Sequence, residues 1–421
     1  MQVVIIGNGI AGSAAAFSIR KYGADCRVMI ISQENCPEYD PGALPYYLGG
    51  NVPRQTVFLK QLDDYRRAGI ELILGRKALA INQEKREVLL AGGEIISYDR
   101  LVMATGGNQV VPPIRGLDRG GVFNCKILAD ADSLAAYGGK AAVVIGSGLI
   151  GIEAAEALKN KGYEVSLIEL LDWILPRVFD REAATILAEE LVARGIKVFT
   201  GEKVLSINGN GWVTGVTTDK REIPCDTVVL ATGVVPASKL AAEAGIEVGK
   251  SRGIKVNEYL QTSGEGVYAC GDCVETRDAF TGEQALYQLR HNALEQAEVV
   301  ARNCMGLKSP YRGAWNFTRA HFFGTHAASL GKTLAGCQER DGVEVIEKKQ
   351  EGSYCRLILQ DGYLLGAQAV GRLADNLGLL LGAMWRRDNL HHLKAKWPLI
   401  QQLNSPYPWP YRLIGRYLDL W

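Results

Sequence analysis

The stretch Val3-Val4-Ile5-Ile6-Gly7-Asn8-Gly9-Ile10-Ala11-Gly12 decides how this chain is read, because it returns in kind as Ala141-Ala142-Val143-Val144-Ile145-Gly146-Ser147-Gly148-Leu149-Ile150-Gly151. In each copy an apolar strand runs into GxGxxG and then into an alanine-rich helix. The glycines let the backbone turn tightly and approach a pyrophosphate, whose charge meets the N–H groups of Ile10 and Ala11, or of Leu149 and Ile150, at the helix N-terminus. Both copies keep the same distance to a closing glycine, Gly7 to Gly23 and Gly146 to Gly162. One GxGxxG is a weak signal, but two in matched context predict two dinucleotide sites in one polypeptide.

Working outward, the acid that pairs with an adenosine ribose is expected about 20 residues beyond the glycines. Glu169, which ends the strand Val165–Ile168, takes that place. Leu170 and Leu171 follow it with no arginine to welcome a 2′-phosphate, so a free 2′-hydroxyl is preferred. In the first copy Ser32 aligns with Glu169, and Glu34 lies two residues later. Glu34 on the ribose, Ser32 on the ribose, and Glu34 as a solvated loop residue all remain open. Two apolar strands end in the same way, at Ala104-Thr105-Gly106 and Ala231-Thr232-Gly233. Small residues there suit a sharp turn or a close cofactor. Val111-Pro112-Pro113 and Val234-Val235-Pro236 bracket the second fingerprint, so residues 115–235 read as an insertion. The first domain, 1–114, resumes over 236–312, where a strand delivers Gly271 and Asp272 at its carboxyl end and a helix follows from about Leu286 to Asn303.

The 421 residues, 47% hydrophobic, are ample for two or three cores, and a net charge of +1 argues against bulk nucleic-acid binding. Met1 lies two residues from the first strand and no apolar run approaches the roughly 20 residues of a spanning helix, so a cytoplasmic protein without a membrane anchor is expected. Nine cysteines, an odd number, read as reduced thiols, with no metal-ligand spacing among them. Cys270 and Cys273 form a C-x-x-C that reads as packing around a strand end.

Together the amino-terminal GxGxxG, the paired Ala-Thr-Gly strands, the inserted GxGxxGxE and the late Gly-Asp resemble the FAD-dependent pyridine nucleotide-disulfide oxidoreductase superfamily, from Met1 to about Leu334. The resemblance implies an α/β fold of two Rossmann-like domains, glutathione reductase-like, holding FAD at the first fingerprint and NADH, in preference to NADPH, at the second. It also implies that Asp272 bonds the ribityl or phosphate region of FAD. Glu153 resembles the family glutamate near nicotinamide and flavin, its alternative being a buried carboxylate paired with a lysine or arginine. Glu156 could share that role, and Lys60 is a weaker candidate. Tyr311–Gly313 and Phe323–Gly331 resemble the start of the carboxy-terminal domain of NADH oxidases and CoA-disulfide reductases. In that branch the domain builds a homodimer, so 313–421 is expected to be an α+β interface domain. A hairpin is expected within it, from Ser353–Leu359 through Asp361-Gly362 to Tyr363–Ala367.

The departure from that branch lies in Tyr39-Asp40-Pro41-Gly42-Ala43-Leu44-Pro45-Tyr46-Tyr47, where Gly42 stands in place of the redox cysteine. Cys36 falls six residues too early. Pro45, in the same segment, joins Glu153 as a candidate catalytic residue. Without the thiol, the resemblance implies FAD-mediated electron transfer between NADH and an iron-sulfur protein such as a ferredoxin or rubredoxin. The alternatives are an NADH oxidase or small-acceptor reductase using oxygen or quinone, a CoA-disulfide or polysulfide reductase using Cys36, and a non-enzymatic redox sensor. Basic and aromatic residues of the tail, from Arg386 through His391–Lys396 and Trp397 to Trp409 and Trp421, suit either a partner or the dimer itself.

Overall fold

The computed structural model of the protein describes residues 1–23, 25–337, 341–350, 352–402 and 417. It divides into two units: 1–47, 52–110 and 234–315, and 48–51, 111–233 and 316–421.

In the first unit, strands that are almost continuously β-branched or aliphatic form a parallel sheet in the order Val267–Ala269, Arg100–Met103, Gln2–Ile6, Arg27–Ile31 and Ile70–Ile73. Such runs suit a sheet covered on both faces. The helices Ile10–Tyr22 and Arg290–Cys304 lie together on one face, in a core that includes Ala15, Ile19, Ala297 and Val300. The other face meets a small antiparallel sheet of Ala78–Asn82, Glu87–Leu90 and Ile95–Ser97, through Ile81, Val88 and Leu90. The second helix begins four residues later than the sequence suggests. Gln284–Ala285 instead pairs with Thr276–Arg277, and Leu289 is still extended at φ −129°, ψ 140°.

The second unit repeats the plan. Lys197–Phe199, Glu164–Ile168, Ala141–Ile145, Thr227–Leu230 and Val122–Asn124 form its parallel sheet in that order. An antiparallel sheet follows, ordered Phe317–Phe322, Thr325–Gly331, Tyr363–Val370, Ser353–Gln360 and Val343–Gln350, with helices Gly378–Arg386 and Leu390–Gln402. The hairpin expected at Asp361-Gly362 is present, both turn residues having positive φ (53° and 78°), as a two-residue primed turn requires.

Arg356 on this sheet is 3% exposed and meets Asp180 at 2.8 Å, Glu182 at 2.7 Å, and Glu347. Asp180 also accepts from Gln368 Nε2 at 3.1 Å. The tail residues Trp409 and Trp421 lie outside the described residues, as does the side chain of Trp397. Within the basic stretch, Arg386 pairs with Asp388 at 2.6 Å and His391 with Glu344 at 2.7 Å. Among the described residues no helix is long and apolar enough to cross a membrane, and no group of acids, histidines and cysteines could hold a metal ion.

Candidate functional site

The two glycine turns are built alike, atom for atom. Gly7 N–H donates to Ile31 O and Gly146 N–H to Ile168 O, both at 2.8 Å. Gly7 and Gly146 have φ of 114° and 102°, and a methyl group on them would lie 2.1 and 2.4 Å from the carbonyl oxygens of Ala104 and Ala231. A methyl on Gly12 or Gly151 would lie 1.9 or 2.0 Å from the oxygen of Gly7 or Gly146, and 3.2 Å from the Cβ of the same two alanines. Thus Ala104 and Ala231 are small because each backs a glycine turn, which explains why the Ala-Thr-Gly strand ending occurs twice. Gly9 and Gly148 differ, since a methyl there meets nothing within 4 Å. Each is the N-cap of its helix, and the first helical bonds run from Ser13 and Ile152 to their carbonyls at 3.0 Å. The N–H groups of Ile10 and Ala11, and of Leu149 and Ile150, therefore lack intrahelical acceptors and suit an anion.

The acids at the second strands differ between the copies. Ser32 and Glu169 occupy the same register, their N–H groups donating to Ile73 O and Phe199 O at 2.8 Å. Glu169 is buried and accepts from Ser147 N at 2.9 Å, Ser147 Oγ at 2.6 Å and Leu171 N at 2.9 Å. Glu34 is half-buried, and its carboxylate accepts from Tyr39 Oη at 2.9 Å while its N–H donates to Ser32 Oγ at 3.2 Å. Thr105 Oγ1 donates to Ala237 O at 2.8 Å, and Gly106 and Gly233 have φ of 69° and 101°. Gly271, φ 82°, backs onto Ala11, and its N–H donates to Gln296 Oε1 at 2.8 Å. The Asp272 carbonyl accepts from Gln288 Nε2 at 3.2 Å.

A buried polar chain that the sequence reading passed over lies at the first turn. Tyr65 Oη donates to Asn8 Oδ1 at 3.0 Å and accepts the Glu38 N–H at 3.2 Å, while Ser13 Oγ donates to Glu38 Oε2 at 2.6 Å. Asn8 Nδ2 is buried without an acceptor. Burial pushes the Glu38 carboxyl up, against the Ser13 bond and the charges of Lys60 and Arg290. The only cue was Asn8 itself, a polar residue between two glycines. The same loop continues to Asp40, which pairs with Arg290 and accepts the Gly42 N–H at 3.0 Å, opening a single 3₁₀ turn, Pro41–Ala43. Pro45 sits second in the short helix Leu44–Leu48, where its missing N–H costs nothing.

Glu153 projects from the helix Leu149–Asn160 without the lysine or arginine that a purely structural carboxylate would need. No ion pair of its side chain occurs among the described residues. Burial first, and the nearby Glu156 second, raise its pKa from 4.5 to about 7. Glu156 is tethered instead, accepting the Phe323 N–H at 3.0 Å. Because folded Glu153 binds its proton more tightly than the unfolded chain does, stability falls as pH rises from about 4.5 through about 7, by about 3 kcal/mol in full. Glu153→Gln is therefore expected to unfold at a higher urea concentration than wild type at pH 8 and at the same concentration near pH 4.5. An equal midpoint at both pH values would contradict the burial of this charge.

None of the nine cysteines forms a disulfide. Cys270 and Cys273 are wholly buried, and burial raises both thiols. Cys125, beside Asp130 and Glu153, is pushed up to about 12, chiefly by burial. Thiols held protonated in this way are poor nucleophiles. Cys36 is half-buried.

The residues present fit two dinucleotides: two open cradles at Gly9 and Gly148, free helix N–H groups, a buried acid at the second turn, and an orphaned amide at the first. The family model described as "Pyridine nucleotide-disulphide oxidoreductase" matches residues 1–297. The chain is 30% identical to an NADH oxidase of Methanocaldococcus jannaschii over 93% of both chains. The solved structure of an NAD-dependent persulfide reductase from A. fulgidus superposes with a TM-score of 0.89 at 30% identity, over 94% of this chain and 79% of that one. A ferredoxin reductase structure from Rhodopseudomonas palustris gives 0.81 at 28% identity, over 89% and 92%. The chain spans about half the length of two further curated relatives that it matches.

Proposed function

Because the chain belongs to the pyridine nucleotide-disulphide oxidoreductase family, and is thereby an FAD-dependent NAD(P)H oxidoreductase, we propose that it carries electrons between NADH and an iron-sulfur protein of the ferredoxin or rubredoxin kind, without a cysteine relay. FAD, when bound, takes up a hydride and can release electrons one at a time. The observation that carries this reading is Gly42. At the position where the resemblance expects a redox thiol, Gly42 has no side chain, and its backbone N–H is donated to Asp40. The ferredoxin reductase of Rhodopseudomonas palustris, alike over most of its length, supports a protein acceptor.

In this reading the domain 1–114 with 236–312 holds FAD, and Gly7, Gly9, Ile10, Ala11 and Gly12 face its pyrophosphate. Ser32 or Glu34 reaches its ribose, and Ala104, Thr105, Gly106, Gly271 and Asp272 line the rest. The insertion 115–235 holds NADH, with Gly146, Gly148, Leu149, Ile150 and Gly151 at the pyrophosphate, Glu169 at the ribose, and Thr232 and Gly233 behind it. Glu153 orients the nicotinamide carboxamide, donating when protonated and accepting when ionised. NADH-dependent bleaching of the flavin is then expected to titrate near pH 7, and Glu153→Gln to lose that step. Residues 313–421 form a homodimer, and the protein is cytoplasmic.

The test is anaerobic reduction by NADH, followed either by air or by an oxidised ferredoxin or rubredoxin. The reduced flavin is expected to persist for minutes in air and to reoxidise faster with the iron-sulfur protein than free flavin does. Cys36→Ser should change neither rate by more than about twofold. If no iron-sulfur protein outpaces free flavin, the protein-acceptor reading is lost. Recovery in air within seconds would favour the second reading, a small-acceptor oxidase, which the Methanocaldococcus jannaschii relative supports. Inactivation by Cys36→Ser would restore a thiol mechanism.

A further inference from the structure

Asn8 is 8% exposed, and its Nδ2 is one of few buried side-chain atoms without a hydrogen-bond partner among the described residues. Native proteins leave few such donors unsatisfied, because the cost of desolvation is not returned. Turning the amide over would only exchange an orphaned N–H for an orphaned carbonyl oxygen. Tyr65 Oη accepts the Glu38 N–H at 3.2 Å, and its own hydrogen has a shorter path to Asn8 Oδ1, at 3.0 Å, than to Ser13 Oγ, at 3.4 Å. A flipped Asn8 would donate to Tyr65 Oη, turn the tyrosine hydrogen onto the longer 3.4 Å contact with Ser13 Oγ, and leave its own carbonyl oxygen buried without a donor. The shorter Tyr65 bond therefore favours the orientation of Asn8 that leaves its N–H groups free. Asn8 itself stands in the glycine turn, between Gly7, packed on Ala104, and Gly9, where an added methyl would meet only open space.

We infer that the Asn8 amide is a further binding group for the flavin dinucleotide, donating to its pyrophosphate oxygens, and that Tyr65 is the positioning residue that aims it. The inference rests on the reading that FAD occupies the first fingerprint. A backbone turn alone recognises any dinucleotide pyrophosphate. An oriented side-chain donor adds a charge-assisted bond, which the second turn, with Ser147 donating to Glu169, does not offer in the same way.

The experiment follows FAD release from the diluted holoprotein by the rise in flavin fluorescence, for wild type, Asn8→Ala, Asn8→Asp, Tyr65→Phe and the Asn8→Ala/Tyr65→Phe pair. Release is expected to quicken about tenfold in Asn8→Ala, and at least as much in Asn8→Asp, which keeps the Tyr65 acceptor but removes the donor. Tyr65→Phe should quicken it about threefold alone and not at all in the Asn8→Ala background, because it acts through Asn8. Release from Asn8→Ala or Asn8→Asp at the wild-type rate would overturn the inference, and so would additive effects of Asn8→Ala and Tyr65→Phe, the signature of two separate packing defects. A wild-type protein that holds no FAD would instead overturn the reading of the first fingerprint.

Discussion

Gly9→Ala is expected to lose FAD during purification, and Gly148→Ala to raise the KM for NADH about a hundredfold, while both proteins fold normally. The reason is the contrast among the three glycines of each turn. Gly9 and Gly148 have φ of −78° and −67°, ordinary for any residue, and a methyl group on either touches no protein atom within 4 Å. The only folding penalty is a poorer N-cap, about 1 kcal/mol. On the proposed reading the methyl instead fills the space through which a pyrophosphate would approach the helix N–H groups. Gly12→Ala and Gly151→Ala provide the opposite control. Their methyl groups would lie 1.9 and 2.0 Å from a backbone oxygen, so stability and nucleotide binding should fall together. Thermal melts beside FAD content and NADH kinetics separate the two classes. A Gly148→Ala protein with an unchanged KM would mean that NADH does not lie on that turn.

Arg356→Met should lower the free energy of unfolding by about 3–5 kcal/mol, measured by urea titration at neutral pH. Arg356 is 3% exposed and stands among Asp180, Glu182 and Glu347. Methionine matches its stem but leaves Asp180, 8% exposed, without its cation. Glu182 and Glu347, about half exposed, recover hydration and contribute less. Asp180→Asn in the Arg356→Met background should therefore restore part of the loss, since it removes the uncompensated charge while Gln368 and the Leu334 N–H still find an acceptor. A loss no larger than that of an exposed ion pair, about 1 kcal/mol or less, would show that water reaches the cluster.

The two fingerprints, the strands before them and the helices after them were determined by the sequence alone, because their signal is local. A β-branched run, three glycines at fixed spacing and an alanine-rich helix each act within a few residues. The hairpin at Asp361-Gly362 was legible for the same reason, since a two-residue turn with positive φ at both positions is specified by its own residues. Sequence reading placed Ser32 opposite Glu169, and the matched 2.8 Å bonds to Ile73 O and Phe199 O give that alignment a physical basis.

What only the tertiary structure decided depends on residues far apart in the chain. The Ala-Thr-Gly endings are small because Ala104 and Ala231 lie on neighbouring parallel strands that back Gly7 and Gly146, a contact no linear spacing announces. The Glu153 pKa is raised to about 7 because burial and Glu156 act on it, with no ion pair to it among the described residues. The chain from Glu38 through Tyr65 to Asn8 joins three segments spread over 57 residues, and Arg356 meets Asp180 across 176. Period and propensity report which face a residue turns inward. Whether its polar atoms then find partners is settled only when distant segments close the same volume, and at Asn8 one such atom is left over.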